Sequence, residues 1–215
     1  SYRVIHNRFA DFLPVFTGID RLSHKDSVIV AIEGGSASGK TTLQKTIAKQ
    51  FDVNEIVSTT TRPKRDREKE GVDYKFVTIE QFTEKVLNGD MLEADDFNNW
   101  FYGTEISALN KNKVNVGVFT PNGVEALAQD GRIDLKVIYI DADDKQRLLR
   151  SLNRETNPNV AEICRRYFAD EKDFCDDRMD ELADMNLNAM TIISDGSKSI
   201  YQIASEVAPF IFGRN

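Results

Sequence analysis

Residues 34–41 read Gly34-Gly35-Ser36-Ala37-Ser38-Gly39-Lys40-Thr41 and satisfy G-x-x-x-x-G-K-[ST] at every fixed position. Glycines at this spacing let backbone N–H groups approach a polyphosphate, and a helix starting at the lysine points its positive dipole end at the anion. Lys40 then offers a point charge to the β- and γ-phosphates, and Thr41 offers a hydroxyl to Mg²⁺. The flanks agree with this reading. Residues 28–32, Val-Ile-Val-Ala-Ile, form a continuous β-branched apolar run, as a buried parallel strand does. Leu43, Ile47 and Phe51 follow at helical spacing. Residues 34–42, the last being Thr42, are therefore the expected contacts for ATP.

The rest of the chain alternates in the same way. Strands are expected at 114–119, 136–140 and 191–193, and helices at 122–129, 145–154, 160–182 and 199–212. This order predicts an α/β fold, a doubly wound parallel sheet with right-handed crossovers. Residues 60–105 break the alternation, with short strands at 73–77 and 91–95 around a helix at 79–87, and read as an inserted lobe. Residues 1–27 lack periodicity and read as an N-terminal extension carrying Phe9, Phe12 and Phe16.

Composition narrows the function classes. A formal net charge of −7 argues against a binder of nucleic-acid polymers, but a small anionic ligand needs only a local cluster of cations. The longest apolar run is the one at 28–32, far short of a spanning helix, and the first ten residues carry no secretory apolar stretch. A cytoplasmic location and no membrane partner are expected. Cys164 and Cys175, eleven apart, fit neither a zinc site nor a disulfide framework and read as reduced thiols on a helix. His6 and His24 are given no catalytic role.

The second cluster of chemistry lies at 58–76. Arg62 and Arg65, three apart, and Tyr74 suit a clamp on one phosphate, because guanidinium forks match its oxygens; the plainer reading is a solvated charged loop. A third set, Arg150, Arg154 and Arg166, lies on the helices expected on either side of a loop near 155–159.

Here the sequence resembles the guanylate kinases. Residues 58–76 match S-x-T-T-R-x-x-R-x-x-E-x-x-G-x-D-Y-x-F throughout, and Glu93 and Tyr102-Gly103-Thr104 follow at the family's spacing. The resemblance runs from 28 to 212 and is densest from 28 to 104. It implies one domain over 28–215, with a monophosphate-binding lobe at 58–105 and a lid at 150–166. In that reading Arg62, Arg65, Tyr74 and Tyr102 hold the acceptor phosphate. Ser58, Glu93 and Thr104 meet the guanine edge, and Arg154 and Arg166 close over the phosphates with Arg150 behind them. The implied reaction is ATP-dependent phosphorylation of GMP or dGMP with Mg²⁺, with Lys40, Arg62, Arg154 and Arg166 as the catalytic cations.

One stretch departs from the pattern. Where the family has two acids leading into its third helix, this chain has Val118 and Thr120. Asp141, Asp143 and Asp144 are candidates for compensating charge, although helix capping is the plainer reading. The departure leaves open a kinase acting on another or modified (deoxy)nucleoside monophosphate; the resemblance itself leaves open a guanylate-kinase-like protein-interaction module, although such modules commonly degrade the loop that is intact here. A nucleoside kinase with a similar loop would have no use for Arg62 and Arg65.

Overall fold

A computed structural model describes residues 27–97, 99–129, 133–154, 156–175, 184–185 and 187–213. The expected N-terminal extension, with its phenylalanines and both histidines, lies outside them apart from Ser27. The described chain divides into two compact units, residues 57–109 and residues 27–56 with 110–213.

The larger unit is built on a parallel sheet of strands β1 (Val28–Glu33), β2 (Asn54–Glu55), β7 (Asn115–Val118), β8 (Asp134–Asp141) and β9 (Asn188–Ile193) in the order β2-β7-β1-β8-β9. The period-2 pleat sends alternate residues of β1 to opposite faces. Val30 and Ile32 pack with Leu43 and Ile47 of helix α1 (Lys40–Gln50) and with Ile203, Val207 and Ile211 of α6 (Ile200–Phe212). Ile29 and Ala31 are as fully buried, and α3 (Pro121–Gln129) lies against β8. Helices α4 (Asp144–Asn153) and α5 (Val160–Asp173) connect β8 to β9.

Helix starts follow local chemistry. Ser199 and Gln202 form a capping box at α6, and Asp143 accepts the Gln146 N–H at α4. Of the acids weighed above, Asp143 is thus a helix cap. Thr120 also caps, its hydroxyl accepting the Gly123 N–H at 3.1 Å ahead of Pro121 in the first turn of α3.

The smaller unit carries a mixed sheet of β3 (Thr59–Thr60), β4 (Lys75–Phe76), β5 (Met91–Phe97) and β6 (Trp100–Glu105) in the order β4-β3-β6-β5, with α2 (Ile79–Leu87). Phe82, Met91 and Phe101 form its core. Gly103 of β6 leaves no room for a side chain against β5, since a Cβ there would sit 2.7 Å from the Glu93 carbonyl oxygen.

Three expectations change. Helix α5 ends at Asp173 rather than 182, because Phe174 leaves helical geometry at φ −119° and ψ 27°; residues 176–183 lie outside the described chain. Cys175 therefore follows the helix that carries Cys164, and both thiols are free and exposed. The strand expected at 73–77 is only Lys75–Phe76, since Gly71 and Asp73 are drawn into a turn by bonds to Tyr74 and Lys69.

Candidate active site

In the larger unit the glycine loop lies between β1 and α1, at the carboxyl end of a central strand. Gly39 caps α1 at φ 110°, a conformation L side chains rarely adopt. The first residue of the helix is Lys40, whose Nζ donates to the carbonyls of Gly34 (2.5 Å) and Gly35 (2.8 Å). Burial lowers the Lys40 pKa to about 8, with Asp170 opposing the shift and Arg147 and Arg154 adding to it. The lysine is thus poised to gain from an anion. Thr41 and Thr42 are exposed on the first turn of α1, and the Ser38 side chain is buried beneath the loop. Arg150 Nη1 reaches the Ala37 and Ser38 carbonyls at 3.4 and 3.3 Å.

Arg154 ends α4, and Arg166 on α5 shares a small cavity with Ser36, Tyr167 and Asp170. Both Arg165 and Arg166 bond to Glu162, at 2.7 Å from each Nε, and this holds the Glu162 carboxyl down at about pKa 2.

The smaller unit holds the other nominated residues. Arg62 is 6% exposed and forks onto Glu68, with Nη1–Oε2 at 3.0 Å and Nη2–Oε1 at 2.7 Å. Its guanidinium lies 5.3 Å from the Tyr74 ring centre and 5.6 Å from that of Phe76. Glu68 also accepts the Arg65 N–H, which draws both arginines to one carboxylate. Tyr74 and Tyr102 meet edge-on at 6.1 Å, and burial, followed by Tyr102, pushes the Tyr74 phenol up to about 12. Ser58 is half-buried just before β3. Across the β5–β6 ladder, Glu93 pairs with Thr104, and both are buried. Burial raises the Glu93 carboxyl to about 7, against the pull of the Thr104 hydroxyl.

The nominated residues thus divide between the units: the loop, Arg150, Arg154 and Arg166 lie in the larger, and Ser58, Arg62, Arg65, Tyr74, Glu93, Tyr102 and Thr104 in the smaller. Sequence reasoning missed Arg147 and Asp170, a buried pair at the loop, and gave no role to Glu68 or to Glu105, which binds Thr59, Lys75 and Lys85. Asp170 stands seven residues after the half-buried Ile163, two turns along one helix face, and that spacing was the available signal.

Comparison with known proteins decides the family. A sequence model described as guanylate kinase matches residues 25–185. The chain belongs to the guanylate kinase family. It is 30% identical over 140 residues to a guanylate kinase of Fusobacterium nucleatum, covering 63% of this chain and 74% of that one. A guanylate kinase of Chlamydia felis is 32% identical over 140 residues, covering 62% and 68%. The fold matches a crystal structure of guanylate kinase from Anaplasma phagocytophilum with a TM-score of 0.60 at 21% identity, over 88% of this chain and 86% of that one. The family match takes in the glycine loop, the smaller unit and α4 and α5, and the likeness of fold extends over most of the chain.

Among the described residues no helix is long and apolar enough to cross a membrane, and no three His, Cys, Asp or Glu side chains gather to hold a metal ion.

Proposed function

We propose that the chain transfers the terminal phosphoryl group of ATP to GMP or dGMP, giving the diphosphate and ADP. One observation carries the reading: an intact loop with Lys40 and Thr41 occurs in the same chain as a buried Arg62 and a buried Glu93. An interaction module has no need of both. The loop would hold the ATP phosphates, with Lys40 leaving the Gly34 and Gly35 carbonyls for them. Arg62, Arg65, Tyr74 and Tyr102 would hold the acceptor phosphate. Guanine presents adjacent N1–H and amino donors, which an ionised Glu93 accepts and adenine cannot supply.

The exposed Thr41 hydroxyl suits a magnesium ion carried on the ATP phosphates, whose charge it would offset; with no all-protein cage among the described residues, the nucleotide supplies most of its ligands. No covalent enzyme intermediate is needed, because alignment and cationic stabilisation do the chemistry. Arg154 and Arg166 would supply that charge, with Arg150 behind them. The reading treats 28–215 as one catalytic domain, with the acceptor lobe at 58–105 and the lid at 150–166, working on the cytoplasmic nucleotide pool. ADP release from ATP and Mg²⁺ with each ribo- and deoxynucleoside monophosphate tests it: GMP and dGMP should lead, and no release with any acceptor would end it.

A further inference from the structure

Every polar group of Ser36, the third residue of the phosphate loop, is taken by two side chains from outside the loop. Its N–H donates to Asp170 Oδ2 at 2.6 Å, its hydroxyl to Asp170 Oδ1 at 3.2 Å, and its carbonyl accepts from Arg147 Nε at 3.2 Å. The two holders are joined, Arg147 Nη2 donating to Asp170 Oδ2 at 2.5 Å. Arg147 is set by Asp144 one turn back on α4 and by the Tyr167 ring, 5.4 Å away on α5. We propose that Asp170 and Arg147 are positioning residues that fix the phosphate loop at Ser36 in its nucleotide-receiving shape, an inference that rests on the ATP-binding reading above.

Burial and backbone geometry argue for this role. Asp170 is 1% and Arg147 9% exposed, and a buried ion pair is a poor source of stability compared with apolar side chains of similar size. Apolar residues here would leave the Ser36 groups without these partners. The next residue, Ala37, sits at φ 61°, a left-handed conformation that a non-glycine residue keeps only when its surroundings hold it. Gly35, on the other side of Ser36, has no room for a side chain, because a Cβ would lie 2.3 Å from Arg147 Nη2. The pair thus grips the segment from Gly35 to Ala37. Its two charges act on Lys40 in opposite senses, Asp170 more strongly than Arg147. Asp170 also lies one turn beyond Arg166 on α5, which ties the helix carrying that lid cation to the loop.

The test compares the parent chain with Arg147→Leu/Asp170→Ala and with Asp170→Asn. The double variant removes both charges together, so neither is left buried alone. Amide hydrogen exchange across residues 34–39 and the dissociation constant for MgATP, by calorimetry without acceptor, are the two readouts. The double variant should exchange those amides and release MgATP at least roughly ten-fold more readily, as loss of charge-assisted hydrogen bonds implies. Exchange in β1 should stay at the parent level. Asp170→Asn keeps an acceptor for the Ser36 N–H without the ion pair, and should fall between parent and double variant. It also carries the test if the double variant does not fold. Parent-like exchange and MgATP affinity in the variants would overturn the proposal. Failure of the parent to bind MgATP would instead end the kinase reading, and the exchange arm would still decide whether the pair fixes the loop.

Discussion

Glu93 stands directly across the β5–β6 ladder from Thr104, and both side chains are buried. Burial lifts the carboxyl to about 7, so near neutrality it is divided between its acid and its carboxylate. Only the carboxylate accepts both guanine donors. The KM for GMP should therefore fall as pH rises towards 7 and level off above it, moving by roughly ten-fold per unit on the acid side. Glu93→Gln should flatten that profile and cost roughly ten- to a hundred-fold in kcat/KM for GMP over AMP, by analogy with bidentate base readout. An unchanged profile would remove Glu93 from the base site.

The same carboxyl has a consequence for stability. Its folded pKa of about 7 exceeds the ordinary 4.5, so the folded state binds more protons between those values. The Glu93 contribution is therefore fully present below pH 4.5 and is lost as pH rises towards 7. Unfolding midpoints of the parent and Glu93→Gln should diverge over that window, with the variant gaining relative to the parent as pH rises. Parallel curves would mean that the acid is not buried as described.

Lys40 gives the complementary case. Its pKa is lowered to about 8 by burial, and an adjacent polyphosphate would raise it again. ATP binding should then draw in a proton above pH 8, and affinity should weaken as pH rises past that value. Lys40→Ala should abolish turnover while the far-ultraviolet dichroism stays native, because the side chain bonds to loop carbonyls and not to the core. Near-normal turnover in this variant would refute the assignment.

Arg62 and Glu68 invite a paired test. Burial weighs against the Arg62 charge, and the Glu68 hydrogen bond together with the charges of Tyr102, Glu68 and Tyr74 outweighs it, holding the guanidinium above its usual range. Removing Glu68 leaves a buried arginine without its fork, so Glu68→Ala should raise the GMP KM by roughly ten-fold, close to the effect of Arg62→Ala. Neither change should move ATP affinity measured without acceptor. A loss of ATP binding would assign this arginine to the donor.

How much of this was legible beforehand follows from the kind of signal each part leaves. The loop, β1 and α1 were readable because fixed glycines, a β-branched run and a helical repeat coincide within 24 residues, 28–51. The strands β2, β3 and β4, at two residues each, carry no periodicity and exist only through their partners. Arg62 was nominated from motif spacing, but its fork to Glu68 required a turn that brings residues six apart into contact. Arg147 and Asp170 are 23 residues apart on different helices. Singly, each resembles a charge on a solvated face; only the packing of α4 against α5 beside the loop buries them together.

The last prediction separates two neighbouring arginines. Arg165 and Arg166 both bond to Glu162, but Arg165 spends two nitrogens on it, Nε at 2.7 Å and Nη2 at 2.8 Å. Arg166 uses only Nε at 2.7 Å and lines the cavity that holds Ser36 of the phosphate loop. This placement gives a physical reason for assigning the lid role to Arg166. A cation that acts on the transferring phosphoryl is felt in kcat more than in ground-state binding. Arg166→Ala should therefore lower kcat by roughly ten-fold or more and leave the MgATP dissociation constant within roughly three-fold of the parent. Arg165→Ala removes a half-buried pair within one turn of α5, and kcat should stay close to the parent value. Single-turnover rates at saturating GMP measure the difference directly. The reverse order, with Arg165→Ala crippled and Arg166→Ala active, would move the catalytic role one residue along the helix and turn the face of α5 that serves the phosphates.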